Sequence, residues 1–228
     1  GENRLSLDRV QLAFDARLAI SSGDTQKAQQ LLRQAIQLDE DNVWLRYDLA
    51  RLYSQTKHAN AGEELFKSYL ERHPNNVDGL YAYALYLTNS YRYKTALQVI
   101  ERVPLDKRTQ KLSQFQRSTW VRAQIDQAQQ LNISNHDAAV ARLTPLESEL
   151  KGDSDLLALL ALGWASVGEE VRANQLFQAI LKENGPLSSE WHLQYVQYLL
   201  DTNQTLAYQN QVNELGKLKL SKAQDKQL

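Results

Sequence analysis

The chain of 228 residues contains no cysteine. Disulfide frameworks, thiolate metal sites and cysteine nucleophiles are excluded at once. A lack of stray thiols suits an oxidising compartment, and equally a cytosolic helical array. Methionine is absent too, even at position 1, and with the Gly1-Glu2-Asn3 start the chain reads as an excised fragment. That leaves room outside it for a signal peptide, an anchor or a further domain. There is no excess of charge: the formal net charge is -1, with no polybasic cluster. The electrostatic footprint of a nucleic-acid or anionic-membrane binder is missing. The longest apolar run, Leu156 to Ala165, is ten residues and contains Gly163. A spanning helix needs about 18, so no direct membrane segment is expected.

Signs of chemistry are equally scarce. His58, His73, His136 and His192 are the only histidines, and none has a second ligand at metal-binding spacing. No HExxH, Walker loop, glycine-rich dinucleotide turn or GxSxG occurs. The acid pairs Glu63-Glu64 and Glu169-Glu170 are placed at the openings of second helices, where the helix dipole favours them. No catalytic residue, metal or cofactor is expected.

What is present is a period. Ala16, Ala50 and Ala84 lie 34 residues apart, as do Ala28, Gly62 and Ala96. Ala139, Ala173 and Ala207 continue the spacing. Small residues at two fixed points of a 34-residue period are the signature of tetratricopeptide repeats, each a pair of antiparallel helices. With the small residues at positions 8 and 20, the first three frames run 9-42, 43-76 and 77-110. The fifth and sixth run 154-187 and 188-221. Apolar spacing of three and four, as in Leu45-Leu49-Leu52-Tyr53, is helical. Positions 8 and 20 fall where the paired helices cross, and the aromatics at 11 and 24 fill the space between repeats.

The fourth frame is irregular. Nine extra residues separate it from the third, and Lys107 to Leu131 carries no glycine or proline. That stretch predicts one long helix, followed by a second helix near His136 to Leu150 with Pro145 inside it and a local kink. The expected organisation is repeats 1-3 over 9-110, an extended helix and hinge over 111-131, repeats 4-6 over 132-221 and a tail over 222-228. The two halves are expected to pivot about the long helix. The fold class is all-α: a right-handed superhelix of six helix pairs with an irregular long helix after the third.

Tyr81, Tyr83, Tyr86, Tyr91 and Tyr93 form the densest aromatic band. Groove positions 2, 5 and 9 of the second frame are Trp44, Tyr47 and Arg51, and Tyr81 and Leu85 follow in the third. These five are the candidate binding residues, for a sugar ring or a peptide. Packing between first helices is the other reading of the same aromatics.

A narrower resemblance rests on Trp44 to Tyr53 (WLRYDLARLY), Leu80 to Leu87 (LYAYALYL) and Ala96 to Pro104 (ALQVIERVP). These stretches resemble the periplasmic repeats of the bacterial cellulose synthase operon protein C family, which also resume after a longer helix. The resemblance implies a scaffold in exopolysaccharide synthesis and export, joining the inner-membrane synthase to an outer-membrane β-barrel pore. Its implied location is the periplasm, with the full-length protein tethered to the outer membrane. The implied partners are other subunits of the cellulose synthase complex, the barrel and the glucan chain. A generic adaptor for a peptide or protein is the alternative, and an accessory domain of an enzyme is a third. The carboxylate clamp of co-chaperone repeats is not matched, because Ala13, Arg17, Asp48, Asp78 and Ala82 stand at its positions.

Overall fold

The computed structural model describes residues 1–183 and 187–225. Every regular element among them is helical. In chain order they are α1 (Glu2–Ser21), α2 (Thr25–Leu38), α3 (Val43–Gln55), α4 (Ala59–Arg72), α5 (Val77–Asn89) and α6 (Tyr93–Glu101). A 3-10 turn at Leu105–Lys107 leads to α7 (Gln110–Asn132), α8 (His136–Glu149), α9 (Ser154–Ser166), α10 (Glu170–Glu183), α11 (Ser189–Asp201) and α12 (Thr205–Asp225). The helices group into two compact units, Gly1–Trp120 and Val121–Leu228, with the division inside α7. The first frame's helix starts at Glu2, ahead of Arg9, and α12 runs on through Asp225. The last residues of the expected tail, 226–228, lie outside the described residues.

Two kinds of turn alternate, and each has a local cause. Within a hairpin, the first helix ends in a left-handed residue: Gly23, Lys57, Tyr91, Gly168 and Asn203 all have φ between 57° and 87°. The amide after it reaches back five residues, as in His58 N–H to the Tyr53 carbonyl at 2.8 Å and Arg92 N–H to that of Leu87 at 2.9 Å. This is a Schellman closure, which satisfies carbonyls that a helix end leaves free. Between hairpins, the next first helix starts on a polar cap. Asn42, Asn76, Asp153 and Ser188 accept from the amides of Trp44, Gly79, Leu156 and Trp191. Such caps contribute about 1 kcal/mol each.

The small positions set the spacing. Ala16, Ala28, Ala50, Ala84, Ala96, Ala139, Ala161 and Ala173 are all buried. A Cβ placed on Gly62 would stand 3.2 Å from the Ala50 carbonyl oxygen and 2.9 Å from the Tyr86 hydroxyl. Large residues are therefore displaced to the surfaces between hairpins. Phe66 of α4 stacks on Tyr83 of α5 at 5.3 Å and meets Tyr86 at 5.1 Å. In the second unit Phe177 of α10 is covered in the same way by Tyr195 and Tyr198, at 4.4 and 5.2 Å. The tyrosine at position 8 of the sixth frame is thus a packing residue of the hairpin stack.

The end of the third hairpin is closed by one arginine. Three residues before Pro104 α6 ends, and Arg108 donates to the carbonyls of Glu101 and Val103 at 3.2 and 3.1 Å. A cation on the last carbonyls of a helix also opposes its dipole. Pro145 lies inside α8 and lacks the amide that would bond to the Ala141 carbonyl.

Two expectations about stability follow. Tyr91→Gly removes a left-handed tyrosine whose side chain is largely exposed, and is expected to raise stability by about 0.5 kcal/mol or more, whereas Gly168→Ala lowers it by about 1 kcal/mol. Gly163 faces Ile125, whose Cγ1 would lie 2.8 Å from an added Cβ. Gly163→Ala is expected to cost about 1–3 kcal/mol. In the background of Ile125→Ala the same change costs less. Urea unfolding of the single and double variants measures both.

Candidate functional site

The candidate groove lies wholly in the first unit, on the first helices of successive hairpins. Positions 2 and 5 of α3 are Trp44 and Tyr47, and position 5 of α5 is Tyr81. Their rings meet edge to face. Trp44 is 5.7 Å from Tyr47 at 72° and 5.8 Å from Tyr81 at 77°. Tyr81 in turn meets Phe115 of α7 at 5.3 Å and 85°. The result is an aromatic ladder running across α3, α5 and α7. Trp44 is the most open rung at 36% exposure, and Tyr47, Tyr81 and Phe115 are half-buried. Perpendicular contact of this kind matches the quadrupoles of neighbouring rings.

A cation flanks each tyrosine. The Arg51 guanidinium stands over the Tyr47 ring and the Lys111 ammonium over the Tyr81 ring, both at 5.7 Å from the ring centre. Both side chains are exposed. Asn89 donates to the Tyr47 hydroxyl at 3.0 Å, tying the end of α5 to α3. Burial, and secondarily the nearby Tyr47, hold the Tyr81 hydroxyl above its ordinary pKa. Asp48 is raised as well: burial pushes its carboxyl up, against the opposing fields of Arg51 and Arg17. Leu85 is half-buried one turn beyond Tyr81 on the same helix face.

The structure therefore brings Trp44, Tyr47, Arg51 and Tyr81 into one chain of ring contacts. It adds Phe115 and Lys111, which the sequence reading missed. Both sit within the nine-residue interruption, 111–119, where the 34-residue frame no longer assigns groove positions. The remaining members of the aromatic band separate: Tyr83 and Tyr86 are core residues on Phe66, and Tyr91 forms a turn with its ring 6.3 Å from Tyr93.

A part-buried polar contact ties α4 to the helix that carries Tyr81. The placement of Glu63 at a helix opening is corrected here, since α4 starts at Ala59 and Glu63 is in its second turn. It accepts from the Tyr83 hydroxyl at 2.7 Å and from Arg92 at 3.0 Å. Burial pushes the Glu63 carboxyl up, but those two bonds and the charges of Arg92 and Lys67 outweigh it, so it lies below its ordinary value. Burial and the same carboxylate hold the Tyr83 hydroxyl well above its ordinary value. Glu169, by contrast, directly precedes α10 and contacts His136 Nε2 at 2.8 Å. Among the described residues, no group of three histidine, cysteine or acidic side chains is arranged to hold a metal ion. Among them too, no helix is long and apolar enough to cross a membrane.

These hairpins are of the tetratricopeptide kind, an all-α helical repeat whose ordinary work is interaction. The Tetratricopeptide repeat family pattern matches residues 19–84. Cellulose synthase operon protein C of Xanthomonas axonopodis pv. citri (strain 306) is 30% identical over 193 residues, covering 83% of this chain and 13% of that protein. The protein of the same name from Pseudomonas fluorescens (strain SBW25) is 27% identical over 188 residues, covering 82% and 15%. This chain thus spans about one seventh of the length of these curated relatives. Among solved structures, pilF of Pseudomonas aeruginosa aligns over 94% of this chain and 93% of that one, at 16% identity and a TM-score of 0.47.

Removing the Tyr83 hydroxyl gives a pH-dependent expectation. A carboxylate whose pKa is lower folded than unfolded adds stability above the unfolded value, about 4.3, and loses it as pH falls through the folded value. Tyr83→Phe is expected to cost about 2 kcal/mol at neutral pH, as a hydrogen bond to a charged group. Unfolding curves of wild type and variant should converge as pH falls below about 4.

Proposed function

We propose that this chain is a non-enzymatic interaction scaffold of a cellulose synthesis and export machine. The single observation that carries the reading is the likeness to cellulose synthase operon protein C over about four fifths of this chain. A stack of tetratricopeptide hairpins supports it, because such a stack presents a long surface without an active site. In this reading the chain works in the periplasm, within a protein tethered to the outer membrane. It helps to join the synthase to the exit pore, and the long α7 serves as a hinge between the two units. The groove of Trp44, Tyr47, Arg51, Tyr81 and Leu85 holds either a partner subunit or the passing glucan.

Cross-linking tests the reading directly. The immobilised chain is expected to capture a protein encoded in the same operon from cells making cellulose, identified by mass spectrometry. Trp44→Ala with Tyr81→Ala is expected to lower that capture about tenfold, as for loss of interface anchors. If no operon-encoded protein is captured in several such extracts, the scaffold reading fails.

A further inference from the structure

We propose that the aromatic ladder of the first unit docks an extended acidic peptide segment bearing an aromatic or large apolar side chain. Arg51 and Lys111 receive its carboxylates and Trp44 its apolar side chain. This rests on the scaffold reading and names the chemistry of the groove's occupant.

Ring geometry decides against a saccharide track. A sugar chain stacks on ring faces that lie flat along its path, but successive rungs here are turned by 72°, 77° and 85°. One face of Tyr47 is also covered by Arg51, and one face of Tyr81 by Lys111. Trp44 is left as the one open rung among them. A lone exposed tryptophan beside half-buried rings is the setting of an interface anchor that takes one side chain, and tryptophan and arginine are enriched among such anchors.

Charge points to the sign of the partner. Among the described residues, neither Arg51 nor Lys111 has a carboxylate within 4 Å, and each stands over a tyrosine ring. Cations fixed over aromatic faces are positioned before the ligand arrives, which lowers the entropy lost on binding. Two carboxylates lie on α3 and α5. Asp48 is half-buried between the fields of Arg17 and Arg51, and is outnumbered by them. Asp78 is exposed at the start of α5, where its field acts on Tyr69 of α4. The α7 segment from Gln110 to Trp120 carries two cations, Lys111 and Arg117, and no acid.

The spacing suits an extended chain. From Arg51 through Tyr47, Trp44 and Tyr81 to Lys111, each step is 5.7 or 5.8 Å. At about 3.3 Å per residue, a peptide of about seven residues or fewer joins the two cations. Side chains of such a peptide alternate in direction, so acids and an apolar residue can reach the groove from one side.

Calorimetric titration of the whole chain with three probes is the test. They are a peptide of about nine residues with glutamates around a tryptophan, its lysine-for-glutamate counterpart, and cellohexaose. The acidic peptide is expected to bind below about 1 mM and to weaken about tenfold on raising salt from about 0.05 to 0.5 M. R51E with K111E should abolish that binding and admit the lysine peptide. Trp44→Ala should weaken binding while keeping the salt dependence. Both cationic side chains are exposed, and R51Q with K111Q provides a milder pair if the reversal unfolds the chain. Equal binding of both peptides, tighter binding of cellohexaose, or no effect of either double variant overturns the proposal. If R51E with K111E still captures an operon-encoded protein normally, the proposal fails and the scaffold reading stands. If the acidic peptide binds as expected but no operon-encoded protein is captured, the scaffold reading fails and the groove chemistry stands.

Discussion

The backbone-to-backbone approach of paired helices governs the rest of this structure. Where Ala50 meets Gly62 there is no room for a Cβ without displacing the Ala50 carbonyl or the Tyr86 hydroxyl. Buried alanines occupy the same two positions in the other well-formed hairpins. Because nothing large fits inside a hairpin crossing, bulk goes between hairpins, and aromatic packing there links each pair to the next. Stability in such a stack is largely a sum of neighbour terms. A defect at one junction is therefore felt locally.

The same arrangement creates the groove. First helices of successive hairpins lie side by side, so residues of adjacent frames become neighbours across a surface. Trp44 and Tyr81 meet in this way, from positions 2 and 5 of adjacent frames. Of the two alternatives left open for these aromatics, the ladder displays packing directly. It packs first helices against one another, and at Trp44 it leaves an exposed rung with cations on either side. In the proposed docking, packing and recognition would share the same rings, with the half-buried tyrosines supporting the more exposed tryptophan.

Much of this was legible in the residues themselves. The small-residue period located both crossing positions of the regular frames, because close approach tolerates few residue types. Trp44, Tyr47, Arg51 and Tyr81 could be placed on one face for the same reason. Lys111 and Phe115 could not, since the extra residues after Pro104 break the count that assigns a face. Nor did composition mark Lys57 and Tyr91 as left-handed residues: only their 34-residue distance from Gly23 and from each other signals it. Glu63 looked like a helix-opening acid, and its role depends on Tyr83 and Arg92 of the next hairpin. Interactions across repeats of this kind are invisible to a reading made one repeat at a time.

The cover of Phe66 means that the repeat of the sequence and the repeat of the core are out of phase. Its ring belongs to the second hairpin, but Tyr83 and Tyr86 of the following helix close it over. At the third hairpin that closing helix is the first half of α7, where Leu112 is buried in the same apolar cluster as Ile100 and Val103. A self-contained piece of this array is thus three helices long, a hairpin and its borrowed roof. Cutting between frames, where the sequence looks most divisible, opens the core at its widest ring.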